Sequence, residues 1–415
     1  MSTQYLILFF FCGLVPLAVM AYFLGRKKGR TLKEEGKLSF LSQIDLFGWY
    51  TLTWMILPAL GVFVLASLLH ILGIITVPAV ILLFGALTAA LAGLAQALHS
   101  ISPGLRARQK LEKVIYAFLF LASVISILTT VGIVLSVIFE AIKFFQVVSV
   151  WEFISGTQWS PDTAFLQGAE RAGEEAAKPQ FGAVPIFAGT FMITFIAMCV
   201  AIPVGLLSAI YMSEYAGDKV RAVAKPLLEI LAGIPTVVYG FFAAITVSPL
   251  VVRLAESVSL EADYTNALAP GLVMGIMIIP FISSLSDDVI RAIPQSLREG
   301  SYALGLTSSE TIKQVLLPAA LPGIVSAFLL AVSRALGETM IVVMAAGLRP
   351  NLTMNPLEGM TTVTVRIVDA LTGDLAFDSL ETLSAFALGL TLLLITLILN
   401  LISTIVIRKF KQKYE

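Results

Sequence analysis

The chain alternates between long apolar runs and shorter polar segments. Nine runs are nearly free of charge and reach the length of about 20 residues that a helix needs to cross a bilayer. They lie at residues 4–24, 50–72, 74–98, 114–139, 186–212, 227–252, 268–290, 319–346 and 383–407. The strands of a membrane barrel would instead give alternating segments of about ten residues, a pattern that does not occur here. The sequence therefore predicts an all-α integral membrane protein with about nine transmembrane helices.

Composition supports a membrane protein and argues against other classes. Hydrophobic residues make up 58% of the 415 positions, charged residues make up 13%, and the mean hydropathy is +0.93. A soluble domain carries about 25% charged residues. Lys plus Arg and Asp plus Glu both number 27, so no nucleic-acid partner is expected. The two cysteines lie in apolar runs without metal-ligand spacing, and we therefore expect no disulfide, metal or cofactor.

The positions of the basic residues predict the orientation of the chain. Most of the 27 Lys and Arg residues lie in every second segment between the apolar runs. These segments are residues 25–49, 99–113, 213–226, 291–318 and 408–415. Basic residues are enriched in cytoplasmic loops, so we expect the N-terminus outside and the C-terminus in the cytoplasm. The first basic residue, Arg26, follows the first run, which predicts a retained span and not a cleaved signal peptide.

Loop lengths predict two domains. Residues 1–110 form three spans with short connections, to which we assign no function, and residues 111–415 form six spans with a long cytoplasmic loop at 291–318. Several spans of the second domain contain Gly and Pro near mid-depth, where transporters place interrupted helices. These residues are Pro203, Gly205, Gly233, Pro235, Gly271, Gly275 and Pro280. We therefore expect kinked or interrupted helices at these positions, although Gly and Pro are also common in membrane helices in general.

The loop at 291–318 has the pattern of two short helices joined at a glycine. Gly305 can adopt the left-handed conformation that ends the first helix. Thr307–Glu310 has the Thr-Ser-Ser-Glu sequence of a capping box, which starts the second helix. Three apolar residues share one face of that helix, namely Ile312, Val315 and Leu316. The pattern predicts an apolar surface that needs a partner, although a hairpin packed on lipid headgroups fits it equally well.

The spacing within this loop resembles the EAA loop of ABC-importer permeases, E-A-A-x(3)-G-x(9)-I-x-L-P. The matching residues are Glu299, Gly305, Val315, Leu317 and Pro318. Small or isosteric residues replace three positions of the pattern: Gly300 and Ser301 stand for the alanines and Val315 for the isoleucine. In that family the loop docks on a separate ATPase. Because the chain has no G-x(4)-G-K-[ST] motif, we expect it to be a transport subunit and not an enzyme.

Two charged residues, Arg334 and Glu338, lie in the eighth apolar run, within Ser-Arg-Ala-Leu-Gly-Glu-Thr-Met. Four residues apart, they are expected to share a helix face near the middle of the span. A charge at the bilayer centre costs at least about 2.5 kcal/mol, so such residues usually mark a pathway. One possibility is that the two charges form a structural ion pair. The other is that the Arg334 guanidinium binds a tetrahedral oxyanion, while Glu338 holds that guanidinium in place or accepts a proton from the substrate. Ser333 and Thr339 can add hydroxyl donors.

Arg-Ala-Leu-Gly-Glu-Thr-Met resembles the R-A-[IL]-G-E-T-M signature of phosphate-specific ABC transporter permeases, in the PstC-type form. Residues 209–216 (AIYMSEYA) and 226–241 (PLLEILAGIPTVVYGF) agree with it, and the resemblance extends over roughly residues 114–410. It implies a type I importer core in a bacterial inner membrane, paired with a PstA-type permease, a PstB-type ATPase dimer and an external phosphate-binding protein. The pathway residues would be Ser333, Arg334, Glu338 and Thr339.

Two other functions stay open. Sulfate and molybdate are also tetrahedral oxyanions, so the chain fits a permease for either of them. Hydrogen phosphate can donate a proton to a carboxylate and sulfate cannot, which favours phosphate if Glu338 is not paired with Arg334. A proton-coupled secondary transporter also uses intramembrane Arg and Glu, but it has no need for the loop at 291–318.

Overall fold

Helices form nearly all of the regular structure, because an apolar run in lipid must satisfy its backbone hydrogen bonds internally. The computed structural model describes residues 3–36, 43–73, 78–161, 179–372 and 379–414. The chain divides into two compact units, Met1–Val131 and Gly132–Glu415. The predicted division after residue 110 stays a prediction, and the helix Ala107–Val147 continues through that position.

The first unit is built from α1 (Thr3–Glu34), α2 (Ile44–Ile71) and α3 (Ala79–Ser100), followed by the start of α4 (Ala107–Val147). Small and aliphatic side chains fill the space between the first three helices. The buried members include Leu14, Ala21, Met55, Ala59, Ala86, Ala90 and Leu94. Because most of these residues are small, the helix backbones lie close together.

The second unit contains the rest of α4, twelve further helices and a two-residue antiparallel pair of strands among its described residues. The elements are α5 (Val150–Ser155), β1 (Trp159–Ser160), β2 (Gln180–Phe181), α6 (Val184–Ile210), α7 (Asp218–Gly233), α8 (Thr236–Phe242), α9 (Ser248–Ser257), α10 (Leu268–Arg291), α11 (Gln295–Ala303), α12 (Ser308–Thr311), α13 (Leu317–Leu336), α14 (Met340–Ala345), α15 (Val363–Thr372) and α16 (Leu380–Tyr414). Turns of π-helix at Tyr211–Tyr215, Ala243–Val247 and Ile312–Leu316 follow α6, α8 and α12.

Eight helical segments in the described ranges are long and apolar enough to cross a membrane. They are Ile44–His70, Val80–Ser100, Ala107–Val147, Val184–Tyr215, Thr236–Ser257, Leu268–Arg291, Ser308–Leu336 and Leu380–Val406. They correspond to the second to ninth predicted spans and confirm the all-α membrane fold. The first predicted span, residues 4–24, falls in α1, and the side chains of residues 4–9 lie outside the described part.

The predicted helix interruptions are only partly correct. The chain does break at Pro235, between the end of α7 at Gly233 and the start of α8 at Thr236. At Pro203 and Pro280 the helices are not interrupted, since α6 and α10 continue through them. Proline is tolerated inside membrane helices, where neighbouring groups satisfy the freed carbonyl.

The glycines of α6 and α10 serve close packing. A Cβ atom at Gly205 would lie 2.9 Å from the Ile282 side chain, and one at Gly275 would lie 2.9 Å from Val200. Gly271 approaches Ile196 in the same way. In lipid, small residues at a helix interface allow the backbones to approach and gain van der Waals contact.

The contact between α2 and α3 can be tested with one added methyl group. A Cβ atom at Gly93 would overlap the carbonyl oxygen of Trp54 and lie 3.1 Å from Pro58, so Gly93→Ala should destabilise the chain by about 1–3 kcal/mol. Gly61→Ala is the matched control, because nothing lies within 4 Å of its Cβ position. Thermal unfolding of the purified chain in detergent measures both changes, and equal midpoints for the two variants would contradict this packing.

Candidate functional site

A cavity of about 250 Å³ lies between four elements of the predicted pathway domain. Met212 of the π turn after α6, residues 225–232 of α7, residues 277–287 of α10 and the end of α13 line its wall. Four charged side chains reach the cavity, namely Lys225, Glu229, Asp287 and Arg334. Two cations and two carboxylates therefore share one small space inside an otherwise apolar bundle.

Arg334 lies in the last turn of α13 and is exposed to the cavity. Its guanidinium carbon is 5.7 Å from the centroid of the Phe281 ring, at cation–π distance. Within the described ranges the guanidinium forms no ion pair and donates no hydrogen bond. The N–H donors of Arg334 are therefore available to a ligand, and a planar fork of donors suits a tetrahedral oxyanion.

The predicted relation between Arg334 and Glu338 is wrong. The helix ends at Leu336, two residues before Glu338, so the two side chains do not share a helix face. The Glu338 carboxylate instead accepts a hydrogen bond from the backbone N–H of Met340 at 3.2 Å, at the start of α14. Thr364 donates to the Glu338 carbonyl at 2.8 Å and holds this turn in place. Arg334 is thus at the end of its helix and not in the middle of a longer span.

The other predicted pathway residues are close in sequence but do not line the cavity. Ser333 and Thr339 are half-buried, and the Thr339 hydroxyl lies 3.4 Å from the Gly337 carbonyl that it donates to. Of the four predicted residues, Arg334 alone is among those that line the cavity. The pathway role of the four residues stays a prediction.

A charged cluster beside the cavity was not found from the sequence. Asp287 is 1% exposed and accepts hydrogen bonds from Arg221 at 2.8 Å and from Arg291 at 3.2 Å. Lys225 lies further away, 3.8 Å from the same carboxylate. Because a buried charge must be paired, this cluster fixes α7 against the end of α10. The available signal was the pair Asp287 and Asp288 at the end of an apolar run, next to Arg291.

The loop at 291–318 has the predicted local structure. Gly305 has a φ of +84°, in the left-handed region, two residues after the end of α11. The capping box is present, since the Thr307 N–H donates to Glu310 at 2.8 Å and the Glu310 N–H lies 3.4 Å from the Thr307 hydroxyl oxygen. Glu299 is exposed on α11. The remaining residues of the motif are half-buried, namely Val315, Leu317 and Pro318.

The prediction that the second helix of the loop needs an outside partner is wrong. This helix is continuous with the span, forming one helical segment from Ser308 to Leu336. Ile312 and Leu316 are buried against Ile290 and Ile293 of the same chain. The exposed apolar side chains lie instead around α11 and the turn after it, at Leu297, Tyr302 and Leu304.

Buried polar contacts attach α11 to the bundle. Arg298 pairs with Glu214 at 3.0 Å, and the two side chains are only 12% and 10% exposed. Arg298 also donates to the carbonyls of Ile290 and Ile293, at 2.9 and 2.8 Å. One turn further along α11, the hydroxyls of Ser301 and Thr311 are 3.0 Å apart and buried. Within the loop, α11 is therefore fixed both to the π turn after α6 and to the end of α12.

Among the described residues, no group of three or more His, Cys, Asp or Glu side chains is placed to hold a metal ion. The charged side chains that line the cavity offer electrostatic interactions and hydrogen bonds. The Arg334 guanidinium, which is unpaired among the described residues, and the Lys225 ammonium can bind a small oxyanion in this cavity, and the attached loop can couple that site to motion elsewhere.

Comparison with known proteins gives the family. The family described as binding-protein-dependent transport system inner membrane component matches residues 201–412. The probable ABC transporter permease protein YqgH of Bacillus subtilis is 34% identical over 255 residues, which are 61% of this chain and 77% of that protein. The phosphate transport system permease protein PstC 1 of Mycobacterium tuberculosis is 31% identical over 280 residues, 63% of this chain and 82% of that protein.

Among solved structures, a bacterial ABC transporter involved in alginate import is 13% identical and aligns with a TM-score of 0.48, over 72% of this chain and 96% of that chain. The matched residues 201–412 contain both the cavity with Arg334 and the loop with Gly305. The family match covers about half of the chain, and the relatives are more than 30% identical over most of their length. This protein therefore belongs to the inner membrane components of binding-protein-dependent transport systems.

Proposed function

We propose that the chain is the permease subunit of an ATP-driven importer and that inorganic phosphate is its substrate. The observation that best supports this proposal is the state of the Arg334 guanidinium, which faces the cavity and is unpaired among the described residues. Arg334 also lies on a helical segment that is continuous with the EAA-type loop. Relatives named as phosphate permeases, such as the mycobacterial protein above, support phosphate as the substrate. Guanidinium forks bind phosphate oxygens in bidentate fashion, which gives this residue a direct role.

The carboxylates of the cavity support phosphate over sulfate. The Glu338 carboxylate forms no ion pair with Arg334, but the Glu338 side chain is not among those that line the cavity. Glu229 does line it and is exposed. A carboxylate accepts a hydrogen bond from hydrogen phosphate, whereas sulfate has no proton to donate and is repelled. In this proposal Glu229, and not Glu338 as expected from the sequence, discriminates hydrogen phosphate from sulfate.

The family implies partners, and the structure of the loop is consistent with an ATPase on one side. We infer a PstA-type permease as the second half of the pathway, a PstB-type ATPase dimer that contacts α11, and an external phosphate-binding protein. The exposed side chains of Leu297, Tyr302 and Leu304 supply an apolar surface for the ATPase. In this arrangement the loop and the C-terminus are cytoplasmic, the N-terminus is outside, and the complex lies in the inner membrane.

The role of Arg334 can be tested without leaving a buried charge behind, because it forms no ion pair with Glu338. The variants Arg334→Gln and Arg334→Gln with Glu338→Gln should both assemble and hydrolyse ATP, yet lose phosphate uptake roughly tenfold or more. Arg349→Gln is the control, since Arg349 is exposed and does not line the cavity. Uptake into proteoliposomes at matched protein abundance is the measurement. Near-normal uptake by the double variant would reject Arg334 as a transport residue.

Coupling through the loop depends on the left-handed residue Gly305. A β-branched side chain is strained at φ +84° by about 1–3 kcal/mol, so Gly305→Val should distort the turn and abolish substrate-stimulated ATP hydrolysis while membrane insertion is retained. Gly300→Ala should keep full coupling, because Gly300 is helical and nothing lies within 4 Å of its Cβ position. Normal stimulation of the reconstituted Gly305→Val complex would show that this turn does not transmit the motion.

A further inference from the structure

We propose that Lys225 is a second anion-binding residue of the pathway and acts on the same oxyanion as Arg334. This inference rests on the proposed function, since it assigns a further residue to the same site. Both side chains line one cavity of about 250 Å³, so an anion that enters it is close to both. Neither sequence motif discussed above includes Lys225, which lies on α7 directly before Pro226.

The ammonium group of Lys225 has only loose contacts. It lies 3.8 Å from Asp287 and 3.7 Å from Asp288, beyond the usual range of an N–H···O hydrogen bond. The Asp288 side chain is 62% exposed, and an ion pair with so exposed a partner contributes little. The donors of Lys225 are therefore not committed to either carboxylate.

Asp287 does not need Lys225. Its two oxygens accept hydrogen bonds from Arg221 at 2.8 Å and from Arg291 at 3.2 Å. When Lys225 turns towards an anion, the buried carboxylate keeps both guanidinium partners, so no uncompensated buried charge results. Arg221, in contrast, is needed by Asp287, because its removal takes away the shortest contact of a carboxylate that is 1% exposed.

The chemistry of the two cations in the cavity is complementary. Arg334 is held over the Phe281 ring and offers a rigid fork of donors. Lys225 is a compact charge on a flexible four-carbon stem, with a side chain that is 36% exposed. A fixed guanidinium sets the position of the anion, and a mobile ammonium follows the anion as it moves through the site. The shared ligand is a tetrahedral oxyanion, with phosphate as the expected one.

The experiment compares four variants, at three positions of α7, in the complete reconstituted transporter. Lys225→Gln should lower the maximal phosphate uptake rate roughly tenfold with an unchanged unfolding midpoint, and Lys225→Arg should restore most of it by returning the charge. Lys219→Gln is the matched control, because Lys219 is exposed on the same helix and does not line the cavity. Arg221→Gln should lower the unfolding midpoint, since it weakens the pairing of Asp287.

Three results would overturn the proposal. Wild-type uptake in Lys225→Gln would remove the residue from the pathway. A midpoint lowered as far as that of Arg221→Gln would make Lys225 a structural partner of Asp287. An equal loss in Lys219→Gln would indicate a general charge effect. The proposed function is tested separately by the wild-type complex: if it imports sulfate and not phosphate, that function fails, and the same variants are compared with sulfate as the probe.

Discussion

The close contact between α6 and α10 is the constraint on which the cavity and its charges depend. Lipid tails are as apolar as leucine, so two membrane helices gain little from hiding apolar surface and must gain from packing. Gly205, Gly271 and Gly275 remove side-chain volume at the points where the neighbouring helix approaches within van der Waals distance. This contact makes α10 the most buried of the membrane-crossing segments in the described ranges. A helix so placed has its last turns enclosed by protein.

Enclosure of α10 has an electrostatic consequence at Asp287. A carboxylate that is 1% exposed must be paired, and the cations that pair with it come from α7 and from the next turn of α10. The amphipathic helix α7 is therefore held along the bundle by its Arg221, although none of its residues is buried. The same attachment aligns Lys225 and Glu229, one and two turns further along α7, with the cavity that contains Arg334. The ion pair between Arg221 and Asp287 thus places Lys225 and Glu229 at the cavity.

The sequence was informative where the physics is local. Apolar runs of bilayer length predicted eight described spans, and the turn at Gly305 with its capping box followed from residues within a few positions of each other. The relation of Arg334 to Glu338 failed because the helix ends before Glu338, in a turn held by Thr364 from 26 positions away. The pairs Arg298–Glu214 and Arg221–Asp287 join residues 84 and 66 positions apart. No pattern in one sequence specifies partners at such separations.

Polar contacts between residues distant in sequence connect the loop at 291–318 to the walls of the cavity. Glu214, which holds Arg298 of α11, belongs to the same π turn as Met212, which lines the cavity. In addition, Thr311 contacts Ser301 of α11 and lies near the start of the helical segment Ser308–Leu336, whose last turn contains Arg334. That segment has 29 residues, a length of about 43 Å at 1.5 Å per residue. Because both links are buried polar contacts that are costly to break, we expect a displacement of α11 to move two walls of the cavity together. Buried polar contacts thus attach the loop to the bundle, whereas α6 and α10 are held mainly by the close packing of small residues.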